Sequence, residues 1–345
     1  MTLYSEIMEQ PARLESLLVS QRNNAEKISL AIKSSGISYV FLAARGTSDN
    51  AGRYANYLLG AVNHLPLALA TPSLFTYYQQ PPTLKGALVM GISQSGQSPD
   101  IVSVLDEGKN QGCLTLAITN EPDSPLGKMA DLVFPIQAGL ERAVAATKTY
   151  TSELMAIAMI SAALSGDQQM WNRLKEIPQW INGALQQNET VREAAERYRY
   201  MQQCVVLGRG FNYATAFEWA LKLKELTYVE AEPYSSADFQ HGPIAMVARG
   251  FPVMAILSSG ALTNSSLSFL EHLKQDLLAE LVVISNVQKA LELGQVRFVI
   301  SADVPESLSP IVNIIPAQLF AYHLTLAKGY DPENPRTIHK VTETR

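Results

Sequence analysis

The chain repeats itself, and the repeat limits what it can fold into. Val40-Phe41-Leu42-Ala43-Ala44-Arg45-Gly46 is an apolar run that ends in a glycine turn and leads into a helical pattern through Tyr54, Leu58 and Leu59. Val205-Val206-Leu207-Gly208-Arg209-Gly210 has the same form and precedes a helical stretch from Ala214 to about Tyr228. Arg45 and Arg209 lie 164 residues apart, and the same spacing sets Val89-Met90-Gly91-Ile92 over Val253-Met254-Ala255-Ile256 and Phe134 over Phe298. Three registers that agree without a gap imply a duplicated domain, because solenoid repeats have far shorter periods. A length of 345 residues also suits two domains. The sequence places them at 1–185, with a leading helix and closing helices, and at 186–345, with a C-terminal tail.

Each half alternates short β-branched runs with helical stretches. The runs fall at 38–43, 66–70, 87–92, 113–118 and 131–136, then at 204–208, 252–257, 280–285 and 296–300. Continuous apolar strands separated by helices predict an α/β fold of two parallel sheets, each covered on both faces in a flavodoxin-like three-layer sandwich. From about Thr149 to Gln203 the pattern is helical throughout. Ligands of such sheets bind beyond the carboxyl ends of the strands, where strand order reverses.

Composition narrows the class of function. With 47% hydrophobic and 17% charged residues the chain can form cores, which excludes a disordered or fibrous protein. A net charge of −5 without any Lys/Arg run argues against nucleic acid as a partner. Cys113 and Cys204 sit in apolar runs and read as buried thiols, and no Cys/His spacing suggests a metal. The N-terminus has no basic stretch leading into an apolar core, and the apolar run Leu154 to Leu164 is too short to cross a membrane. A cytoplasmic protein without membrane attachment is expected.

The unusual residues cluster at predicted strand ends. Ser93-Gln94-Ser95-Gly96-Gln97-Ser98-Pro99-Asp100 follows one strand and opens a helix, with Ser98 suited to the N-cap and Pro99 to the first helical position. Unpaired amides at a helix start, together with the hydroxyls of Ser93, Ser95 and Ser98, form an anion cradle suited to phosphate. Gly46-Thr47-Ser48-Asp49-Asn50 is a second such turn. A third hydroxyl cluster, Ala146 to Ser152, carries Lys148, which could add a positive charge. Neither a P-loop nor a dinucleotide fingerprint is present, so the expected ligand is a small phosphorylated metabolite and no cofactor is called for.

In the second half Glu218, Lys222 and Glu225 share one helix face by spacing, which alone is more often that of a solvated ion-pair ladder. His241, in Asp238-Phe239-Gln240-His241-Gly242-Pro243, is a loop histidine placed for acid–base work. His64, His272 and His323 read as helix or helix-end residues without a role. The tail from Asp331 is stiffened by Pro332 and Pro335, and its apolar Ile338 and Val341 leave docking open.

Taken in order, Gly-Thr-Ser, Ser-Gln-Ser-Gly-x-Ser, Ala-x-Thr-Lys, Leu-Gly-Arg-Gly, Ala-Leu-Lys-Leu-Lys-Glu, His-Gly-Pro and the Asp-x-x-x-Pro-Arg-x-x-x-Lys tail resemble the tandem sugar-isomerase (SIS) domain family. The likeness is to the isomerase half of glucosamine-6-phosphate synthase from about Ile7 onward. Ala-Arg-Gly-Thr-Ser-Asp-Asn, Ser-Gln-Ser-Gly-Gln-Ser-Pro-Asp and Lys-Val-Thr-Glu-Thr resemble stand-alone SIS-type glucosamine-6-phosphate deaminases more closely. The resemblance implies that Thr47, Ser48, Ser93, Gln94, Ser95 and Ser98 hold the sugar phosphate. It implies that Arg45, Gly46, Val144, Ala145 and Ala146 line the sugar, with Arg45 standing where the synthase has cysteine. Glu225 would move a proton between C1 and C2 with Lys222 beside it. His241 would open the ring from the neighbouring subunit of a homodimer, and Lys340 would close over the site and could form an imine.

No glutaminase segment precedes Ile7, so the resemblance points to deamination of an aminosugar 6-phosphate. The alternatives are aldose–ketose isomerisation or fructosamine-phosphate deglycation without ammonia release, and a sugar-phosphate-sensing regulatory protein.

Overall fold

Short runs, apolar and buried in the central strands, alternate with helices to give ten strands and fourteen α-helices among residues 2–340, which the computed structural model describes. The chain opens with α1 (Leu3–Met8), capped reciprocally by Thr2 and Ser5, and α2 (Gln10–Ser34). The first sheet follows: β1 (Tyr39–Ala43), α3 (Gly46–Asn63), β2 (Leu67–Leu69), α4 (Ser73–Thr76), β3 (Ala87–Ile92), α5 (Pro99–Asn110), β4 (Leu114–Thr119), α6 (Pro125–Met129) and β5 (Leu132–Pro135). After α7 (Lys148–Ser165), α8 (Gln168–Leu185) and α9 (Asn188–Arg197) comes the second sheet. It comprises β6 (Gln203–Gly208), α10 (Tyr213–Thr227), β7 (Glu230–Ser235), α11 (Ser236–Phe239), β8 (Pro252–Leu257), α12 (Thr263–Gln275), β9 (Glu280–Ser285), α13 (Gln288–Leu293) and β10 (Val296–Val299), and α14 (Ser309–Ala327) follows it.

Both sheets are wholly parallel, as expected. Their orders are β2-β1-β3-β4-β5 and β7-β6-β8-β9-β10, one topology used twice. Order reverses between β1 and β3 in the first sheet and between β6 and β8 in the second. β3 is buried along its whole length, as a strand covered on both faces must be. The sequence reading missed β7. Its Glu-Ala-Glu-Pro-Tyr-Ser hides alternation behind two acids and a proline that only an edge strand tolerates. The repeat nevertheless marks it, because the 164-residue spacing carries β2 onto residues 231–233.

Residue contacts group the chain into two units, each built on one sheet. The first-sheet unit contains Ala12–Arg142, Lys148–Glu176 and residues 339–340. The second-sheet unit contains residues 2–11, Ala143–Thr147 and Ile177–Ile338. Within the first, α7 is buried almost all round and packs on α3. Within the second, α14 is long and apolar enough to cross a membrane, but 83% of that window is buried inside the protein as a core helix. Cys204 is buried, which pushes its thiol up to about 12. Cys113 is only half-buried, contrary to expectation, because it lies just before β4 at the sheet's end, where its thiol donates to the Leu84 carbonyl.

Candidate active site

At the first switch point two turns face the carboxyl ends of β1 and β3. Gly96 has φ +61°, and a β-carbon there would run into the Ser124 side chain, so the turn requires glycine. The Ser93 hydroxyl accepts from the Gly96 amide at 3.1 Å and that of Ser95 from the Gln97 amide at 3.3 Å, so each keeps its O–H to donate elsewhere. Ser98 occupies the N-cap of α5, as expected, but its hydroxyl makes no cap bond. Gln94, Ser95 and Ser98 are partly exposed. On the β1 side, Arg45 is the N-cap of α3, and Gly46 and Thr47 form its first positions. Arg45 Nε lies 2.7 Å from Asp100 Oδ2, tying the two turns together, with Asp100 buried and the arginine half-exposed. Ser48 is buried and donates to Glu153 Oε1 at 2.8 Å, which directs it toward α7.

In the same unit Lys340 Nζ lies 2.6 Å from Glu141 Oε2. Glu141 is buried and also accepts from the Thr149 amide at 3.2 Å and its hydroxyl at 2.7 Å, so a carboxylate sits at the positive end of α7. Lys148, which the sequence offers as a positive charge in this cluster, points inward. It is fully buried and donates to the Leu140 carbonyl at 2.7 Å. Val341, whose docking the sequence left open, and the rest of the Lys-Val-Thr-Glu-Thr end after Lys340 lie outside the described residues.

In the second-sheet unit α10 presents the Glu218–Lys222–Glu225 cluster. Lys222 Nζ lies 2.5 Å from Glu225 Oε2 and 3.4 Å from Glu218 Oε1. The side chains of Lys222 and Glu218 are 1% and 0% exposed, which rules out a solvated ladder, while Glu225 keeps 25% exposure. Burial alone would lower the Lys222 ammonium, but the two carboxylates outweigh it and hold it above the ordinary lysine value. The result is a permanently charged lysine fixing a carboxylate that still reaches solvent. The tail docks on this unit: Glu333 accepts from the Leu3 amide at 2.9 Å, and the Arg336 guanidinium stacks 4.4 Å over Tyr228 and 5.1 Å over Tyr330.

The SIS domain model matches residues 37–163 and 199–328, well over half of the chain. The chain belongs to the SIS domain family. It is 31% identical over 345 residues to the glutamine–fructose-6-phosphate aminotransferase (isomerizing) of Pyrococcus horikoshii, covering 98% of this chain and 57% of that protein. It thus spans a little over half the length of this curated relative. Among solved structures it is similar to the C-terminal domain of glucosamine-fructose-6-phosphate aminotransferase from Francisella tularensis, with a TM-score of 0.86 and 28% identity over 96% of this chain and 98% of that one. The glucosamine-6-phosphate deaminase of Thermotoga maritima shares the fold, with a TM-score of 0.79 and 19% identity over 100% of both chains.

The first SIS segment thus brings Arg45, Gly46, Thr47, Ser93, Gln94, Ser95 and Ser98 to one switch point. The second carries Lys222 and Glu225. His241 lies on an exposed loop, where Gly242 at φ +127° supplies a conformation open to glycine. Val144, Ala145 and Ala146 lie in the short segment that groups with the second sheet, held there by Glu6, which accepts from the Ala143 amide, and by Gln318, which donates to the Thr147 carbonyl. Sequence reasoning missed Glu141, Glu153 and Asp100 as partners of site residues. An acid seven residues ahead of a helix start, as Glu141 is, carries no periodic signal.

Proposed function

We propose that this SIS protein is an aminosugar-6-phosphate deaminating isomerase, converting glucosamine 6-phosphate or a close relative with water into fructose 6-phosphate and ammonia. The observation that carries this reading is the Lys222–Glu225 pair, a partly exposed carboxylate held by a buried cation. A base that removes a carbon-bound proton next to a carbonyl needs that fixed position and access.

In this reading Thr47, Ser93, Gln94, Ser95 and Ser98 hold the phosphate through hydroxyls and helix-start amides, and Arg45, Gly46, Val144, Ala145 and Ala146 line the sugar. Ser48, already bonded to Glu153, acts by setting the α3 turn. His241, contributed by the second subunit of a homodimer, opens the pyranose ring. Glu225 takes the proton from C2 of the open-chain aldose and returns it to C1. The C2 amine thereby becomes an imine, which water hydrolyses to the ketone and ammonia. Lys340, held beside Glu141, supplies the side-chain amine that can add to a ketose carbonyl. No step calls for a cofactor.

Incubation with glucosamine 6-phosphate should release ammonia and fructose 6-phosphate in equal amounts. No ammonia from any aminosugar phosphate would overturn the deaminase reading, and aldose–ketose conversion without nitrogen loss would select the isomerase instead.

A further inference from the structure

Arg45 and Asp100 form a lopsided ion pair across the first switch point. The carboxylate side chain is 1% exposed and that of the arginine 51% exposed, with Nε 2.7 Å from Oδ2. We propose that Asp100 holds Arg45 so that the end of its guanidinium grips the phosphate monoester of the substrate, which makes Asp100 a positioning residue. The inference rests on the phosphate reading of this switch point given above, and it moves Arg45 from the wall of the sugar to the phosphate itself.

Arg45 follows β1 with extended backbone, φ −138° and ψ 152°, immediately before α3. Asp100 is the second residue of α5, the helix that follows β3. β1 and β3 are neighbours in the sheet, so the pair spans the crevice where strand order reverses. Asp100 is itself fixed, because its Oδ1 accepts from the Ile101 amide at 2.9 Å. Nη1 and Nη2 of Arg45 have no hydrogen-bond partner among the described residues. With Nε taken by the acid, those two nitrogens present the edge of the fork that matches two phosphate oxygens. A cation locked by a buried group is preorganised, so less freedom is lost when the ligand arrives.

The charges of the two turns favour this use of Arg45. Residues 45–50 and 93–100 hold the acids Asp49 and Asp100 and a single base, Arg45. Asp49 pairs with Arg53 of its own helix at 3.2 Å. Ser93, Ser95 and the helix-start amides offer only neutral donors, and Lys148 turns away to the Leu140 carbonyl. The repeat supplies a comparison within the same chain. Arg209 stands 164 residues on, again extended before a helical turn, but Asn264 occupies the position of Asp100. No acid takes its Nε, and its Nη1 is spent on the Ser265 hydroxyl at 3.3 Å. Of the two arginines, only the one paired with an acid keeps both terminal nitrogens unspent.

Binding of inorganic phosphate to the full chain, measured by isothermal titration calorimetry, tests the proposal. Arg45→Met should weaken it about ten- to a hundredfold, as the loss of bonds to a charged group implies, and Arg45→Lys should recover only part. Arg209→Met should bind phosphate as the parent does. The role of Asp100 is read as coupling. In an Asp100→Ala background, Arg45→Met should cost about threefold or less, because the guanidinium is no longer held. An Asp100 that served stability alone would leave the full cost in place. Asp100→Ser gives the same reading should the alanine variant fail to fold, with circular dichroism as the check. Parent affinity in a folded Arg45→Met protein, or an undiminished cost of Arg45→Met without Asp100, overturns the inference. Ammonia release plays no part in this readout, so failure of the deaminase reading leaves the test standing. A parent that binds no phosphate overturns the cradle and the inference together.

Discussion

The Lys340 ammonium sits 2.6 Å from the buried carboxylate of Glu141, which also caps the start of α7. This pair fixes the end of the described tail on the first-sheet unit. Removing the lysine takes the cation from a buried carboxylate that also accepts from the Thr149 amide and hydroxyl. Lys340→Ala should lower stability by about 2 kcal/mol, less than the ~3–5 kcal/mol of a fully buried pair, because Lys340 keeps 23% exposure. Urea midpoints measure this, and Lys340→Arg should recover most of the loss.

Lys222 is buried between Glu218 and Glu225, so its loss removes a cation that two carboxylates share. Lys222→Met should destabilise by about 3–5 kcal/mol by removing the buried cation beside Glu218, whose side chain has no exposure. The double variant Glu218→Gln/Lys222→Met should cost much less than the sum of its parts, because the buried cation and its buried carboxylate are removed together. Denaturant unfolding of the four proteins checks the cycle.

The free O–H groups of Ser93 and Ser95 predict an effect on substrate binding rather than on chemistry. Ser93→Ala and Ser95→Ala should each raise KM about tenfold with kcat little changed, as expected for one lost bond to a charged group. Ser48→Ala differs in kind. It strips a donor from buried Glu153 and should register as lost stability. Steady-state kinetics beside thermal melts separates the two classes.

His323, on α14, gives the protein a pH-sensitive element. Burial first, then the Arg192 charge, hold its imidazole below the ordinary value of 6.5, with Glu189 partly opposing. Its ring Nε2 lies 2.8 Å from Asn188 Oδ1. Below that ordinary value the unfolded chain takes up a proton that the folded chain refuses. Its contribution is therefore full above pH 6.5 and is lost as the pH falls through it. His323→Gln should flatten the fall in stability between about pH 7 and about pH 5, measured by urea unfolding at each pH.

The fold was legible where chemistry is periodic. Nine strands announced themselves as β-branched runs, and the repeat joined them into two like sheets. β7 was hidden because an edge strand can carry Glu230, Glu232 and Pro233, residues that break the apolar pattern. The turns around Ser95 and Thr47 were visible because hydroxyls gather at strand ends. Burial was not. Spacing could not tell a solvated Glu218–Lys222–Glu225 ladder from a buried one, nor foresee that Lys148 turns inward to the Leu140 carbonyl. Such outcomes depend on which neighbours cover a helix face, and those neighbours are distant in sequence.

The account stands or falls on Glu225 as the group that moves a proton along the sugar carbons. With a ketose 6-phosphate in deuterium oxide, NMR should show solvent deuterium entering C1. Glu225→Gln should slow that exchange by about a hundred- to ten-thousand-fold while phosphosugar binding persists. Exchange at the parent rate in a folded Glu225→Gln protein would contradict the account.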